Sequence, residues 1–95
     1  MLEDSVRGVA FRLEGRVQRV SFRWYGREVA IEVGVKGWIR NRIDGGVEGE
    51  AFGGPSMLQL FLNRLGQGPP AARVDNLEWE VIPEEDVPLS FEIRS

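Results

Sequence analysis

The stretch Gly15-Arg16-Val17-Gln18-Arg19-Val20-Ser21-Phe22-Arg23 stands between a run that reads as a strand and a run that reads as a helix. Before it, residues 7–14 alternate, with Val9, Phe11 and Leu13 on one face and Arg12 and Glu14 on the other. That is the pattern of a strand with one buried side. After it, Phe22, Gly26, Val29, Ala30 and Val33 recur at helical spacing over 22–33, with Ser21 as N-cap and Gly34 as the stop. A loop so placed aims several backbone N–H groups at one point, near the positive end of the helix dipole, and suits an oxyanion. Arg23 lies in the first helical turn, where its guanidinium fork reaches the same point. Taken alone, the loop also fits a plain strand-to-helix connection, and Arg23 fits a solvated helix surface.

Working outward, residues 35–42 alternate again, with Val35, Gly37, Ile39 and Asn41 on one face. Asp44-Gly45-Gly46 is a hairpin turn, and residues 46–53 return as a strand with Val47 and Ala51 inward. Pro55-Ser56 opens a second helix, with Ser56 and Gln59 spaced as a capping box and Leu58, Phe61, Leu62 and Leu65 as its apolar stripe. Gly66, Gly68, Pro69 and Pro70 end it. Residues 73–82 alternate through Leu77, Trp79 and Val81, and Leu89, Phe91 and Ile93 form a last short strand. The order βαββαβ predicts an α+β, ferredoxin-like sandwich, two helices on one face of an antiparallel sheet. Residues 1–95 make a single domain, with 1–6 as the only loose end.

Composition narrows the chemistry. Of 95 residues, 42% are hydrophobic and 28% charged, ordinary for a soluble domain. No apolar run is long enough to span a bilayer, and the acidic start Met1-Leu2-Glu3-Asp4-Ser5 is unlike a signal peptide, so the expected location is the cytoplasm. There is no cysteine and no histidine. Thiolate catalysis, a serine–histidine triad and cysteine or histidine metal sites are therefore excluded. Nine of the twelve basic residues lie in the first 42 positions, and ten of the fifteen acidic ones lie at or after Asp44. Such a split focuses an anionic ligand on one region. The net charge of −3 argues against nucleic acid. Glu78, Glu80, Glu84, Glu85 and Asp86 read as a solvated face and loop, since no metal-ligand spacing appears among them.

Two stretches together resemble the signature motifs of the acylphosphatase family. The first family pattern, roughly G-x-V-Q-G-V-x-F-R, is matched at Gly15, Val17, Gln18, Val20, Phe22 and Arg23. The second, roughly G-W-V-x-N-x-x-D-G-x-V-E, is matched at Gly37, Trp38, Asn41, Asp44, Gly45, Val47 and Glu48, with Ile39 a close substitute. The resemblance covers nearly the whole chain, and one position departs from it: Arg19 stands where the family usually has glycine.

The resemblance implies hydrolysis of an acyl phosphate to a carboxylate and inorganic phosphate, by a monomer using neither metal nor cofactor and needing no nucleic acid or membrane. It implies that the loop residues Gly15, Arg16, Val17, Gln18, Arg19, Val20 and Ser21, with Arg23, bind the phosphate. It makes Arg23 and Asn41 the catalytic pair, the asparagine orienting the attacking water. An amide suits that task, accepting from water while donating to another oxygen. Read from the residues alone, Asn41 also fits a strand end, and Trp38 fits either a stacking platform or sheet packing against Arg40. A binding module without turnover stays open because of Arg19. An RNA-binding module of similar element order is disfavoured by the missing aromatic signature and the charge.

Overall fold

In the computed structural model, which describes residues 7–95, the elements run β1 (Arg7–Arg16), α1 (Phe22–Val33), β2 (Lys36–Asn41), β3 (Val47–Gly53), α2 (Pro55–Gln67), β4 (Arg73–Ile82) and β5 (Phe91–Arg94). The expected looseness of residues 1–6 lies outside the described residues. The strands form one sheet in the order β4-β1-β3-β2-β5, and both helices cover one of its faces. The ferredoxin-like sandwich is therefore present, with one correction. The sheet is mixed, because β5 pairs in parallel with β2, Gly37 opposite Phe91 and Ile39 opposite Ile93. The connection from Pro83 to Ser90 crosses from the β4 edge to the opposite edge, and β5 arrives there running in the direction of β2. Strand alternation carries no information on partner direction, so this pairing was not legible beforehand.

The core forms where the alternation places it. Val9, Phe11, Leu13, Ile39, Val47 and Ala51 from the sheet meet Phe22, Val29, Ala30, Leu58, Phe61, Leu62 and Leu65 from the helices, all buried. Phe61 stands at the centre, edge-on to Phe11 at 5.7 Å and tilted against Phe91 at 5.5 Å, so α2 bridges the first and last strands. Gly26 lets α1 approach the sheet closely, since a Cβ there would stand 2.8 Å from the Ile39 Cδ1. Trp79 and Val81 pair with Phe11 and Val9 and share their face, yet remain 53% and 69% exposed. They lie on the edge strand, beyond the cover of α2. Among the described residues, no helix is long and apolar enough to cross a membrane.

The helix ends differ from expectation. Gly34 does stop α1, its N–H donating to the Ala30 carbonyl at 2.8 Å. Ser21 does occupy the cap position of α1, but its side chain makes no capping bond. The capping box at Ser56 is absent: the cap residue is Gly54, Pro55 opens the helix, and Ser56 lies inside the first turn. Proline suits a first helical position because its missing N–H would have no helical partner. Gly66 belongs to the last turn, and Gly68 is the terminator. Leu89 is exposed and precedes the last strand, which begins at Phe91.

The β2–β3 hairpin closes as its sequence predicts. The Asp44 carboxylate accepts from the Gly46 N–H at 3.0 Å, and Arg42 donates to both its oxygens at 2.9–3.1 Å. The Arg42 bonds, then the Gly46 bond, lower the Asp44 carboxyl from 3.8 to about 2. A carboxylate held lower in the folded than in the unfolded chain adds stability that is complete above its unfolded value and lost as pH falls through its folded one. Stability should thus fall between about pH 4 and 2. Asp44→Asn should shallow that fall, leaving the part due to Asp75 and Glu78, whose carboxyls Arg73 and Arg12 also hold low. Urea midpoints followed from neutral pH down to about 2 test this, and equal slopes in both forms would contradict it.

Candidate active site

The loop from Val17 to Ser21 is held at its ends and left open in its middle. At its entrance β1 bulges between Glu14 and Gly15. Gly15 has φ 126°, and a Cβ there would collide with the Arg73 carbonyl oxygen, so only glycine fits. Val17 is buried and anchors the loop in the core. Gln18 donates its side-chain amide to the carbonyls of Arg42 and Gly46, both at 2.8 Å, and ties the loop to the β2–β3 hairpin. Arg19 and Ser21 both have φ 62°, the left-handed region that non-glycine residues seldom adopt. Two such residues separated by Val20 turn the backbone into a concavity. Among the described residues, no backbone N–H from Val17 to Ser21 donates to a protein acceptor. Val17 is buried, Gln18 and Val20 are half-buried, and Arg19 and Ser21 are exposed, so the loop's donors face an opening in the surface.

This loop opens on a cavity of about 190 Å³ bounded by the loop itself, α1, β2 and β5. Its polar lining is Arg19, Ser21, Arg23 and Asn41, and its apolar lining is Val17, Phe22, Trp24 and Ile93. Two guanidinium groups and no carboxylate face it. The surrounding ion pairs explain why those two are available. Arg12 is held by Glu78, Arg40 and Arg42 by Glu48, Arg64 by Glu32, Arg73 by Asp75 and Arg94 by Glu92. Among the described residues, Arg16, Arg19 and Arg23 have no carboxylate partner. The guanidinium of Arg23 makes one long contact, 3.4 Å, to the Arg94 carbonyl of β5. The Asn41 side chain is half-buried at the end of β2 and makes no hydrogen bond among the described residues. It shares the helix-side face with Ile39 as its alternation predicts, but its amide opens on the cavity and not into the core.

Of the residues singled out from sequence, the fold brings Val17, Arg19, Ser21, Arg23 and Asn41 to one cavity. Gly15 shapes the loop entrance, Gln18 spends its side chain on the hairpin, Val20 packs against the core, and Arg16 is exposed beyond the lining. Trp24 and Ile93 line the cavity without having been picked out. Trp24 carried a signal: it is a large apolar side chain off the core stripe of α1, beside Arg23. Trp38 settles as sheet packing, with the guanidinium groups of Arg40 and Arg94 at 5.0 and 5.1 Å from its ring and its indole donating to Glu50 at 3.2 Å. A larger concavity, about 490 Å³, lies on the sheet face opposite the helices, but its arginines, Arg12 and Arg40, are already ion-paired. Among the described residues, no group of three acidic side chains is placed to hold a metal.

The fold is a ferredoxin-like α+β domain with a small cavity, lined by two arginines and an amide, at its first strand-to-helix loop. The acylphosphatase family pattern matches residues 9–93, and the chain belongs to the acylphosphatase family. It is 39% identical to an acylphosphatase of Rhizobium etli over 97% of this chain and 98% of that one. Among solved structures it resembles an acylphosphatase from Coxiella burnetii, with TM-score 0.89 and 35% identity over 94% of this chain and 93% of that one. It also resembles one from Bacillus subtilis, with TM-score 0.90 and 28% identity over 96% of this chain and 100% of that one. The chain is thus a hydrolase of the acylphosphatase type.

The backbone at Arg19 can be tested through stability. A left-handed non-glycine residue costs about 1–2 kcal/mol. Glycine removes that strain but costs about 0.4–1 kcal/mol through the freer unfolded chain. Arg19→Gly should therefore raise stability by about 0.5 kcal/mol, read as a higher urea midpoint. A clear loss of stability would show that the arginine side chain holds the loop.

Proposed function

We propose that this chain hydrolyses the carboxyl–phosphate anhydride of an acyl phosphate, giving a carboxylate and inorganic phosphate, with Arg23 and Asn41 as the catalytic residues. One observation carries the reading: the loop residues Val17, Arg19 and Ser21, whose N–H groups have no acceptor among the described residues, share a cavity with Arg23, which has no carboxylate partner there, and with the unpartnered Asn41 amide. The loop N–H groups and the Arg23 fork hold the phosphoryl oxygens, where negative charge is spread as the bond to the leaving group stretches. Bidentate contact fixes the phosphoryl group as well as its charge. The Asn41 amide accepts from a water and places it in line with the breaking P–O bond.

The reaction needs little more than this. Water forms the new P–O bond, the anhydride P–O bond breaks, and the electron pair leaves on a stabilised carboxylate. That leaving group needs no proton from a strong acid. The attacking water gives its proton to a phosphoryl oxygen, since no carboxylate or imidazole lines the cavity. Positioning and charge stabilisation therefore carry the rate. The absence of cysteine fits a reducing, cytoplasmic setting. A module that binds the anion without turning it over is the competing reading, and release of phosphate from acetyl phosphate separates the two.

Two substitutions test the roles. Arg23→Lys keeps the charge but loses the planar fork, so turnover should drop severely while the thermal midpoint stays near that of the parent. Near-normal turnover would remove Arg23 from the site. Asn41→Ala should lower kcat by on the order of 10²-fold with a smaller change in KM, because a group that orients water acts in the transition state. A raised KM at constant kcat would make Asn41 a substrate-binding residue instead.

A further inference from the structure

An in-line displacement on an acyl phosphate has three places to hold. The phosphoryl oxygens go to the loop N–H groups and the Arg23 fork, and the attacking water goes to Asn41. The third is the bridging oxygen of the anhydride, which departs on the side of phosphorus opposite the water and takes up the electron pair of the breaking P–O bond. The cavity lining restricts what can meet it. Its polar side chains are Arg19, Ser21, Arg23 and Asn41, and the rest of the lining is apolar. With Arg23 and Asn41 engaged, Arg19 and Ser21 are left, and of these Arg19 alone carries charge. At about 30 Å³ per water, a space of about 190 Å³ corresponds to roughly six waters. A phosphoryl group and its bridging oxygen fill much of it, so a side chain of the lining is within reach of the anhydride.

Folding does not account for an arginine at position 19. The residue is exposed, and its side chain makes no hydrogen bond or ion pair among the described residues. Its head is therefore free to turn onto a ligand. Its neighbours are tied down: Gln18 is clamped to the hairpin, and Val20 packs against the core. That fixes where position 19 stands. The backbone there has φ 62°, which glycine holds without strain and arginine does not. A non-glycine residue in this region points to a use for its side chain, and the folded chain offers this one no partner. A negative charge that develops in the cavity would supply one.

We propose that Arg19 is a third catalytic residue, whose guanidinium donates to the bridging oxygen as that oxygen departs in the carboxylate. This rests on the hydrolase reading above. No proton moves through Arg19. The P–O bond to the bridge breaks, its electron pair goes to the carboxylate, and the guanidinium, charged throughout, offsets the charge as it forms. The bridging oxygen carries little charge in the substrate and much more in the transition state, whereas the phosphoryl oxygens are charged from the start. The Arg19 contact therefore strengthens toward the transition state and acts on kcat more than on KM.

The test measures kcat/KM for para-nitrobenzoyl, benzoyl and para-methoxybenzoyl phosphates in the parent, Arg19→Gly, Arg19→Ala and Ser21→Ala. The substituents change the basicity of the departing carboxylate and leave the phosphoryl group the same. Arg19→Gly removes the guanidinium and the backbone strain, and Arg19→Ala removes the guanidinium and keeps the strain, so agreement between them isolates the charge. Both should lose on the order of 10²-fold with benzoyl phosphate. The loss should be smallest for the nitro compound and largest for the methoxy compound, whose carboxylate is the most basic. The inhibition constant of inorganic phosphate, which has no bridging oxygen to lose, should change by no more than about threefold. An equal loss for all three substrates, with phosphate inhibition weakened about tenfold or more, makes Arg19 a phosphoryl ligand and overturns the proposal. An equal loss with phosphate inhibition intact makes it structural, and no loss leaves its head in solvent; either result overturns the proposal too. A graded loss in Ser21→Ala in place of the Arg19 variants moves the role to the hydroxyl. Hydrolysis of none of the three by the parent sinks the hydrolase reading itself, and is distinct from all of these results.

Discussion

The side-chain amide of Gln18 reaches 2.8 Å to both the Arg42 and Gly46 carbonyls, and the geometry of the site depends on that pair of bonds. They join two loops that are far apart in sequence. Among the described residues the loop's N–H groups find no protein acceptor, so they do not hold it as they would hold an ordinary turn. Here it is held from the side. Val17 fixes it in the core, the Gly15 bulge fixes its entrance, and Gln18 clamps it to the hairpin that presents Asn41. The backbone donors stay free because other atoms bear the structural load.

The same separation governs the charges. Pairs within the described residues hold Arg12, Arg27, Arg40, Arg42, Arg64, Arg73 and Arg94 against nearby carboxylates on the sheet surface, the hairpin and the helices. Exposed pairs of this kind add little stability each, about 0–1 kcal/mol. Their effect on the site is of another sort. They neutralise arginines elsewhere and leave Arg19 and Arg23 as unbalanced positive charge at the cavity. The hairpin illustrates this: Arg42 follows Asn41 in the chain but is consumed by Asp44 and Glu48, while Arg23 has no carboxylate partner among the described residues.

Backbone strain sits at the same place. Arg19 and Ser21 hold φ 62° within three residues of each other, and the cost is of order 1–3 kcal/mol each. Such conformations persist only where the surroundings over-determine them. Glycine would remove the penalty at position 19. Arginine retains it and places a second guanidinium residue in the cavity lining.

Periodicity and turn chemistry by themselves determined the elements, their order, the buried face of each strand, the Gly34 stop and the Asp44 turn, because these depend on neighbours a few residues away. The paired motifs also located the loop, Arg23 and Asn41. What the chain pattern did not contain were contacts between distant segments. The parallel pairing of β5, the exposure of Trp79 on an edge strand, the use of Gln18 as a clamp, and the meeting of Trp24 with Ile93 at one cavity each require two elements to be brought together in space. The helix caps failed for a smaller reason of the same kind: a serine that suits a cap by propensity yields when the loop's own constraints turn it left-handed, as at Ser21, or when a proline opens the helix first, as before Ser56. Local preference names the candidates, and tertiary packing decides which of their atoms remain free to act.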